Sequence, residues 1–134
     1  MPPLSRRAVG LAGVLLAVAV AGVVVAGLLL RDHVEPRYRL AGTNPDRGQA
    51  ALAAYGCGSC HTIPGVRGSD ATVGPPLSEW GDRVYVAGRL ANTPDNLVRW
   101  IMHPQSVVPG NAMPDLGVDE RAARDIAAYL YGLR

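Results

Sequence analysis

The sequence predicts a small all-α domain preceded by one long apolar segment. Three observations favour this fold class: apolar positions recur at helical spacing in separate stretches, loops rich in Gly and Pro divide those stretches, and no stretch shows the sustained alternation of a β-strand. The last helix is the clearest, because its apolar stripe follows the positions i, i+4, i+7, i+8 and i+11. That stripe consists of Ala122, Ile126, Tyr129, Leu130 and Leu133.

The apolar segment covers residues 8–30, which are uncharged. At ~1.5 Å per residue it reaches roughly 34 Å, enough to cross a hydrocarbon core of about 30 Å. The apolar region of a cleaved signal peptide, the alternative, is typically only about 7–15 residues long. We therefore expect a single transmembrane helix, with residues 1–7 in the cytoplasm because Arg6 and Arg7 precede the segment.

Cap and stop signals place the helices of the domain. Asn44-Pro45 and Thr93-Pro94 each combine an N-cap residue with proline at the first helical position, so they predict two helix starts. The first of these helices ends at Gly56. The second should end at His103, because a residue that precedes proline disfavours helical backbone. The last helix begins at Asp119.

Composition bounds the organisation and the partners. Residues 31–44 show no apolar stripe and predict a tether, whereas residues 45–134 predict the folded domain. Lysine is absent, and from residue 45 onward eight Arg stand against nine Asp and Glu. This near-neutral balance, without a basic stripe or an aromatic platform, argues against a nucleic-acid partner and against strong electrostatic steering. We expect no small-molecule substrate.

A C-x-x-C-H run carries the chemistry. Cys57 and Cys60 are the two cysteines of the chain, and His61 follows them directly. This pattern is the attachment sequence of c-type haem, in which the imidazole ligates the iron. A thioredoxin-like site would need a βαβ context, and a structural zinc site would need two further ligands at paired spacing. The run therefore predicts one covalent haem c, attached outside the cytoplasm.

The second axial ligand has four candidates, which are His33, Met102, His103 and Met113. Met113 is favoured, because it lies in a predicted loop before Pro114 and a loop can press a thioether onto a metal. Electron carriers also commonly use His/Met ligation. An open sixth position stays an alternative, and it would make the protein a haem enzyme or a gas sensor.

The order of these motifs resembles that of a class I cytochrome c over roughly residues 45–134. The shared features are the early C-x-x-C-H, the G-P-x-L segment at Gly74–Leu77, the Met113-Pro114 pair and a closing amphipathic helix. The chain is also similar to membrane-anchored bacterial monohaem cytochromes and to the cytochrome c domain of caa3-type oxidase subunit II. The resemblance implies that the Pro75 carbonyl orients His61, that Leu77 packs on the haem, and that Met113 is the distal ligand.

Two features depart from that family pattern. Gly48 lies nine residues before the first cysteine, where class I cytochromes usually have a glycine eight residues before it, and this leaves the usual close crossing of the first and last helices open. The copper-binding half of an oxidase subunit II has no counterpart in the sequence. We therefore expect the cytochrome domain without that half.

The expected function is that of a membrane-anchored electron carrier rather than an enzyme, either by itself or as a non-catalytic electron-transfer subunit of an oxidoreductase complex. The resemblance implies single-electron transfer between a quinol-oxidising complex and a terminal oxidase, with the domain in the periplasm or an equivalent extracytoplasmic space and the chain in contact with the lipid bilayer. Without lysine, docking should use an apolar patch. The expected members of this patch are Ile63, Pro64, Val66 and Pro109.

Overall fold

The structure is a computed structural model that describes residues 6–31 and 37–134, and in the first range it describes the side chains of residues 13–27. The chain divides into two compact units, residues 1–34 and residues 35–134. The first unit contains α1 (Arg6–Arg31). Its described valines and leucines are exposed, as Val23 is at 73%.

The prediction of a transmembrane helix over residues 8–30 is corrected. Crossing a membrane takes a helix that is both long and apolar, and within the described ranges no helix meets both requirements. The predicted cytoplasmic segment 1–7 and tether 31–44 lie partly outside the described residues, and His33 lies wholly outside them. The domain boundaries stay predictions.

The second unit is mainly helical. Two single turns of 3-10 helix, Cys57–Ser59 and Trp80–Asp82, lie in its loops. Its other elements are, in chain order, α2 (Pro45–Ala54), β1 (Tyr85–Val86), β2 (Leu90–Ala91), α3 (Pro94–Met102), α4 (Pro104–Val107) and α5 (Glu120–Tyr131).

Side-chain caps confirm the three predicted helix starts. Asn44, Thr93 and Asp119 each accept a hydrogen bond from the backbone N–H three residues later, at 3.0, 3.4 and 2.9 Å respectively. Such caps satisfy backbone donors that the first turn of a helix leaves unpaired. The predicted end of the second helix is also confirmed, since α3 stops at Met102, directly before His103.

The prediction of an all-α domain is corrected, because the second unit contains a two-stranded antiparallel sheet. β1 pairs with β2, and Tyr85 lies opposite Ala91. The connecting turn places Ala87 and Gly88 in the left-handed region, with φ of 51° and 64°, a conformation that matches the twist of a hairpin. Strands of two residues are too short to show an alternating pattern in the sequence.

Gly48 lets α2 and α5 cross closely. The close helix crossing, which the one-residue offset of Gly48 from the family pattern left open, is therefore present. A Cβ at Gly48 would collide with the backbone carbonyl of Asp125 and lie 2.9 Å from the amide nitrogen of Ile126. Any larger residue would push the two helices apart. The crossing therefore depends on the absence of a side chain at this position.

A buried carboxylate stabilises the crossing of α2 and α5. Asp125 of α5 is 4% exposed. It accepts hydrogen bonds from the backbone N–H of Asn44 at 2.6 Å and from Nε and Nη2 of Arg47 at 2.7 and 3.1 Å. The hydrogen bonds from Arg47 lower the pKa of the Asp125 carboxyl below its ordinary value. α5 thus holds the N-terminal turn of α2, and α2 leads directly to Cys57.

Candidate cofactor and metal site

A cavity of about 500 Å³ lies in the second unit. Its wall is largely apolar and includes Leu52 of α2, Leu97 of α3 and Ile126 of α5, each of which is almost fully buried. An apolar cavity with a few convergent polar groups is the common form of a cofactor site. The structure brings to this wall all six residues that the sequence analysis assigned to the site, namely Cys57, Cys60, His61, Pro75, Leu77 and Met113.

A tight turn after α2 carries the two cysteines and the histidine. Gly56 adopts a left-handed φ of 70°, which ends the helix and turns the chain. The backbone N–H groups of Cys60 and His61 both donate to the carbonyl of Cys57, at 3.2 and 3.1 Å. The turn therefore holds two thiols and one imidazole together at the cavity wall.

The carbonyl of Pro75 orients the imidazole. Nδ1 of His61 lies 2.7 Å from this oxygen. Because a carbonyl oxygen only accepts, Nδ1 is the protonated nitrogen and donates the hydrogen bond. The lone pair of His61 is then on Nε2, the nitrogen that a metal would take.

The backbone around Pro75 is fixed against the cysteine turn. The N–H of Gly74 donates to the carbonyl of Cys60 at 2.7 Å, and the N–H of Leu77 donates to the carbonyl of Thr62 at 2.8 Å. Gly74 also lies flat against the imidazole, since a Cβ there would collide with Cε1 of His61 and lie 2.6 Å from its Nδ1. The G-P-x-L segment thus serves as a backbone cradle for the histidine ring.

Met113 lies in the loop between α4 and α5, and two amide side chains define its backbone. Nε2 of Gln105 donates to the carbonyls of Met113 and Asn111 at 2.7 and 2.9 Å, while its Oε1 accepts from the N–H of Gly110 at 3.0 Å. Oδ1 of Asn111 accepts from the N–H of Met113 at 2.7 Å. Both backbone polar groups of Met113 are therefore paired with side chains.

The other candidate ligands lie elsewhere. Met102 closes α3 and packs against the core, and His103 is exposed at the end of that helix. Neither residue lines the cavity, and His33 is outside the described residues. Among the candidates whose positions are described, only Met113 shares the cavity with His61.

Trp80 and Arg83 also line the cavity. Trp80 is 5% exposed, and its Nε1 is buried without a hydrogen-bond partner within the described ranges. The Arg83 guanidinium lies 4.8 Å from the centroid of the Trp80 ring and donates to the carbonyls of Pro76 and, at 3.4 Å, Ser78. Burial lowers the pKa of Arg83. The Arg83 guanidinium at the wall suits a ligand that carries an anionic group.

Burial also affects one thiol. It raises the pKa of Cys57 above the ordinary thiol value, because the low-dielectric surroundings disfavour the thiolate. The neutral thiol of Cys57 is therefore favoured near neutral pH. Such a thiol reacts slowly by itself and needs a proton acceptor to form a bond to sulfur.

The predicted apolar docking patch is partly wrong. Ile63 and Val66 are 2% and 8% exposed, so they belong to the core rather than to the surface. Two other apolar side chains line the cavity and are exposed at the same time, Val73 at 73% and Leu116 at 39%. They place apolar surface beside the site.

Gln105 and Asn111 were not predicted as residues of the site. Both are amide residues next to a loop rich in Gly and Pro, where no helix or strand supplies backbone partners. Side-chain amides often take that role in such loops. This composition indicates that the loop needs such amides, but it does not show which backbone groups the two side chains bind.

Comparison with curated proteins identifies similar sequences. The chain is 34% identical over 103 residues to the protein named cytochrome c oxidase subunit 2 of Alkalihalophilus pseudofirmus, a match that covers 75% of this chain and 28% of that protein. Proteins of the same name from Bacillus subtilis (32% over 94 residues, 66% and 26% covered) and Bacillus sp. strain PS3 (37% over 65 residues, 47% and 18% covered) also match. No protein-family model matches the chain.

The cofactor prediction is corrected in the light of these relatives. They are named as oxidase subunits and not as monohaem cytochromes, so they do not support one covalent haem c. In the part of the chain that the structure describes, no group of three or more His, Cys, Asp and Glu side chains is placed to hold a metal ion either.

The prediction of an electron carrier that is no enzyme is corrected as well. The shared name of the relatives is that of an oxidase subunit, which belongs to an oxidoreductase. The chain spans only 18–28% of the length of these proteins. The chain itself is similar to cytochrome c oxidase subunit 2 over up to three quarters of its length.

Proposed function

We propose that the second unit is an electron-transfer domain that works with a respiratory terminal oxidase, as part of such an oxidoreductase complex. The similarity to cytochrome c oxidase subunit 2 supports the oxidase as partner. One structural observation carries the electron-transfer role: His61 and Met113 line the same apolar cavity, and a backbone carbonyl aims the imidazole. The motif order, which resembles that of class I cytochromes c, supports the same role.

The proposed site is a one-electron metal centre with His61 and Met113 as protein ligands. Imidazole suits several transition metals, and the soft thioether of Met113 favours the lower oxidation state. A metal centre inside an apolar wall gains or loses an electron with little rearrangement of solvent, because water is largely excluded. These residues fit the requirements of an electron carrier.

Further residues of the cavity wall are proposed to contact the bound centre. Cys57 and Cys60 lie at the same wall and are proposed to contact the centre, while Pro75 and Leu77 shape the wall beside His61. Arg83 is proposed to donate hydrogen bonds to the bound group, since it lies at the cavity wall. Each role is a proposal about this chain's own residues.

The proposed electron donor is a quinol-oxidising complex, and the proposed acceptor is the terminal oxidase. We propose that docking uses the exposed apolar side chains Val73 and Leu116 beside the cavity, since the domain carries nearly balanced charge and no lysine. The proposed location is the extracytoplasmic face of the cell membrane, where both complexes would be reached. Fusion of alkaline phosphatase to the C-terminus tests that location, because this enzyme is active only outside the cytoplasm.

Two measurements test the proposed function. Elemental analysis of the full-length protein purified from its native host should find one transition metal per chain, and it distinguishes iron from copper. Stopped-flow mixing of the reduced protein with the detergent-solubilised terminal oxidase should then show oxidation of the centre within the turnover time of the oxidase. A metal-free protein, or a reduced centre that the oxidase leaves unoxidised, would refute the proposal.

A further inference from the structure

Two polar side chains are buried in the core away from the proposed site. Asn92 is 2% exposed and Tyr131 is 0% exposed. The hydroxyl of Tyr131 donates to Oδ1 of Asn92 at 2.8 Å, and neither residue lines the cavity. Burial of polar groups is unfavourable unless their hydrogen bonds are satisfied. The pair therefore needs partners on both sides.

The amide of Asn92 supplies those partners by bridging the turn at Trp80–Asp82. Its Nδ2 donates to the carbonyl of Trp80 at 3.2 Å and to the carbonyl of Arg83 at 3.0 Å. Because the hydroxyl of Tyr131 occupies Oδ1, the amide is oriented with its two N–H groups towards the turn. One side chain thus holds both ends of this turn.

Further contacts fix the middle of the turn. The N–H of Gly81 donates to the carbonyl of Leu133 at 2.9 Å. A Cβ at Gly81 would lie 3.0 Å from the carbonyl oxygen of Tyr131, so the turn lies directly on the C-terminal end of α5. Nη1 of Arg37 donates to the carbonyl of Arg83 at 2.6 Å. The backbone of the turn is therefore held by residues that do not line the cavity.

The position of Arg83 depends on this turn, because Arg83 follows it directly in the chain. The guanidinium reaches the cavity wall from the end of the turn, stacked over the Trp80 ring. A positive charge at the wall stabilises the more electron-rich, reduced state of a metal centre in the cavity. If the turn shifts, Arg83 can move into water, where its effect on the centre is screened.

We propose that Asn92 and Tyr131 are positioning residues that hold the Trp80–Asp82 turn, keep Arg83 at the cavity wall and thereby raise the reduction potential of the centre bound there. The inference rests on the proposed function, because it concerns the potential of that centre. Tyr131→Phe tests it, since this variant removes one hydroxyl and leaves the ring that packs at 4.9 Å against Tyr38. The matched control is Tyr129→Phe on the same helix, whose hydroxyl donates to the Pro64 carbonyl at 2.6 Å, away from the turn.

In potentiometric titration, Tyr131→Phe should have an equilibrium constant for reduction that is about three- to tenfold smaller than that of the wild type. For a one-electron couple, a tenfold change corresponds to 59 mV. Tyr129→Phe should leave the constant unchanged. In an Arg83→Gln background, Tyr131→Phe should have no further effect, because the charge that it displaces is gone. An equal effect with and without Arg83, or no effect in either background, would overturn the inference.

Amide hydrogen exchange gives a readout that needs no redox centre. In Tyr131→Phe, the indole N–H of Trp80 and the amide N–H of Gly81 should exchange at least about tenfold faster than in Tyr129→Phe, because the turn opens more often. Equal exchange in the two variants would overturn the turn-holding role. A wild-type protein without a redox-active metal would instead refute the proposed function, and the exchange result would still decide whether the pair holds the turn.

Discussion

Nδ1 of His61 donates a hydrogen bond to the carbonyl oxygen of Pro75 over 2.7 Å. This bond commits the imidazole to one tautomer and leaves Nε2 as its metal-binding atom. The backbone that presents the carbonyl is itself bonded to the chain on either side of His61, through Cys60 and Thr62. The orientation of the proposed ligand is therefore a property of two bonded backbone segments rather than of one flexible side chain.

Gly74→Ala should displace the imidazole without unfolding the domain. The added methyl group collides with the His61 ring, so the ring must leave the Pro75 carbonyl. Loss of such a bond to a metal ligand typically lowers metal affinity about 10–100-fold. Competition with a chelator measures that affinity.

The control for this substitution is Gly22→Ala in α1, where a Cβ meets nothing within 4 Å. It should leave the affinity unchanged. Unaltered metal binding in Gly74→Ala would show that His61 is not held by this segment.

Gln105→Ala should loosen the loop that presents Met113. The substitution removes three hydrogen bonds, including the one to the Met113 carbonyl. The visible absorption of the proposed metal centre, in so far as it is lost in Met113→Leu, should then disappear at a lower urea concentration than the unfolding of the helices, because the loop opens locally. Simultaneous recording of absorption and circular dichroism measures both transitions.

Gln49→Ala is the matched control, since Gln49 gives one hydrogen bond to the Gly65 carbonyl, away from Met113. In this variant the two transitions should coincide as in the wild type. Coinciding transitions in Gln105→Ala would contradict a supporting role for Gln105.

Asp125→Asn should destabilise the domain by about 2 kcal/mol near neutral pH, because it weakens charge-assisted hydrogen bonds to Asn44 and Arg47. The folded-state pKa of Asp125 lies below its unfolded value of about 3.9. The contribution of the carboxylate is therefore fully present above that value and is lost as the pH falls through the lower folded-state pKa. Urea unfolding of both proteins at several pH values measures the difference.

Glu120→Gln is the control for this carboxylate. Its ion pair with Arg124, at 2.9 Å, joins exposed side chains one helical turn apart. Such pairs contribute less than about 0.5 kcal/mol. A difference between wild type and Asp125→Asn that stays constant from neutral to strongly acidic pH would contradict the account of Asp125.

The proposed electron transfer to a terminal oxidase should depend only weakly on ionic strength. From residue 45 onward the eight arginines nearly balance the nine acidic residues, so long-range steering is small. We expect a change of less than about twofold in the second-order rate constant between roughly 0.02 and 0.2 M salt. A steep fall across this range would show that charged side chains, rather than Val73 and Leu116, guide docking.

The helices could be predicted from local signals, whereas the supports of the site could not. The caps at Asn44, Thr93 and Asp119 are determined by residues three positions apart, so the sequence contains the whole signal. The hydrogen bond from Gln105 to the Met113 carbonyl joins residues eight positions apart, at an irregular loop. No sequence period marks such a bond, and only the folded loop shows it.

The sheet was not predicted and the close helix crossing was left open, for two different reasons. β1 and β2 are two residues long, which is too short for a visible alternation. The crossing of α2 and α5 was left open because Gly48 departs by one position from the spacing of the family that the sequence resembles. The contact that decides it lies between Gly48 and the backbone of Asp125, far apart in sequence.

The most direct test of the proposed centre is a potentiometric titration of Met113→Leu beside Met102→Leu. Both variants replace a thioether by an alkyl chain of similar size, but only Met113 lines the cavity with His61. The account predicts a reversible one-electron couple in the wild type, the same couple in Met102→Leu, and a clearly lower potential in Met113→Leu, because the thioether stabilises the reduced metal. Identical potentials in all three proteins, or no couple in the wild type, would contradict it.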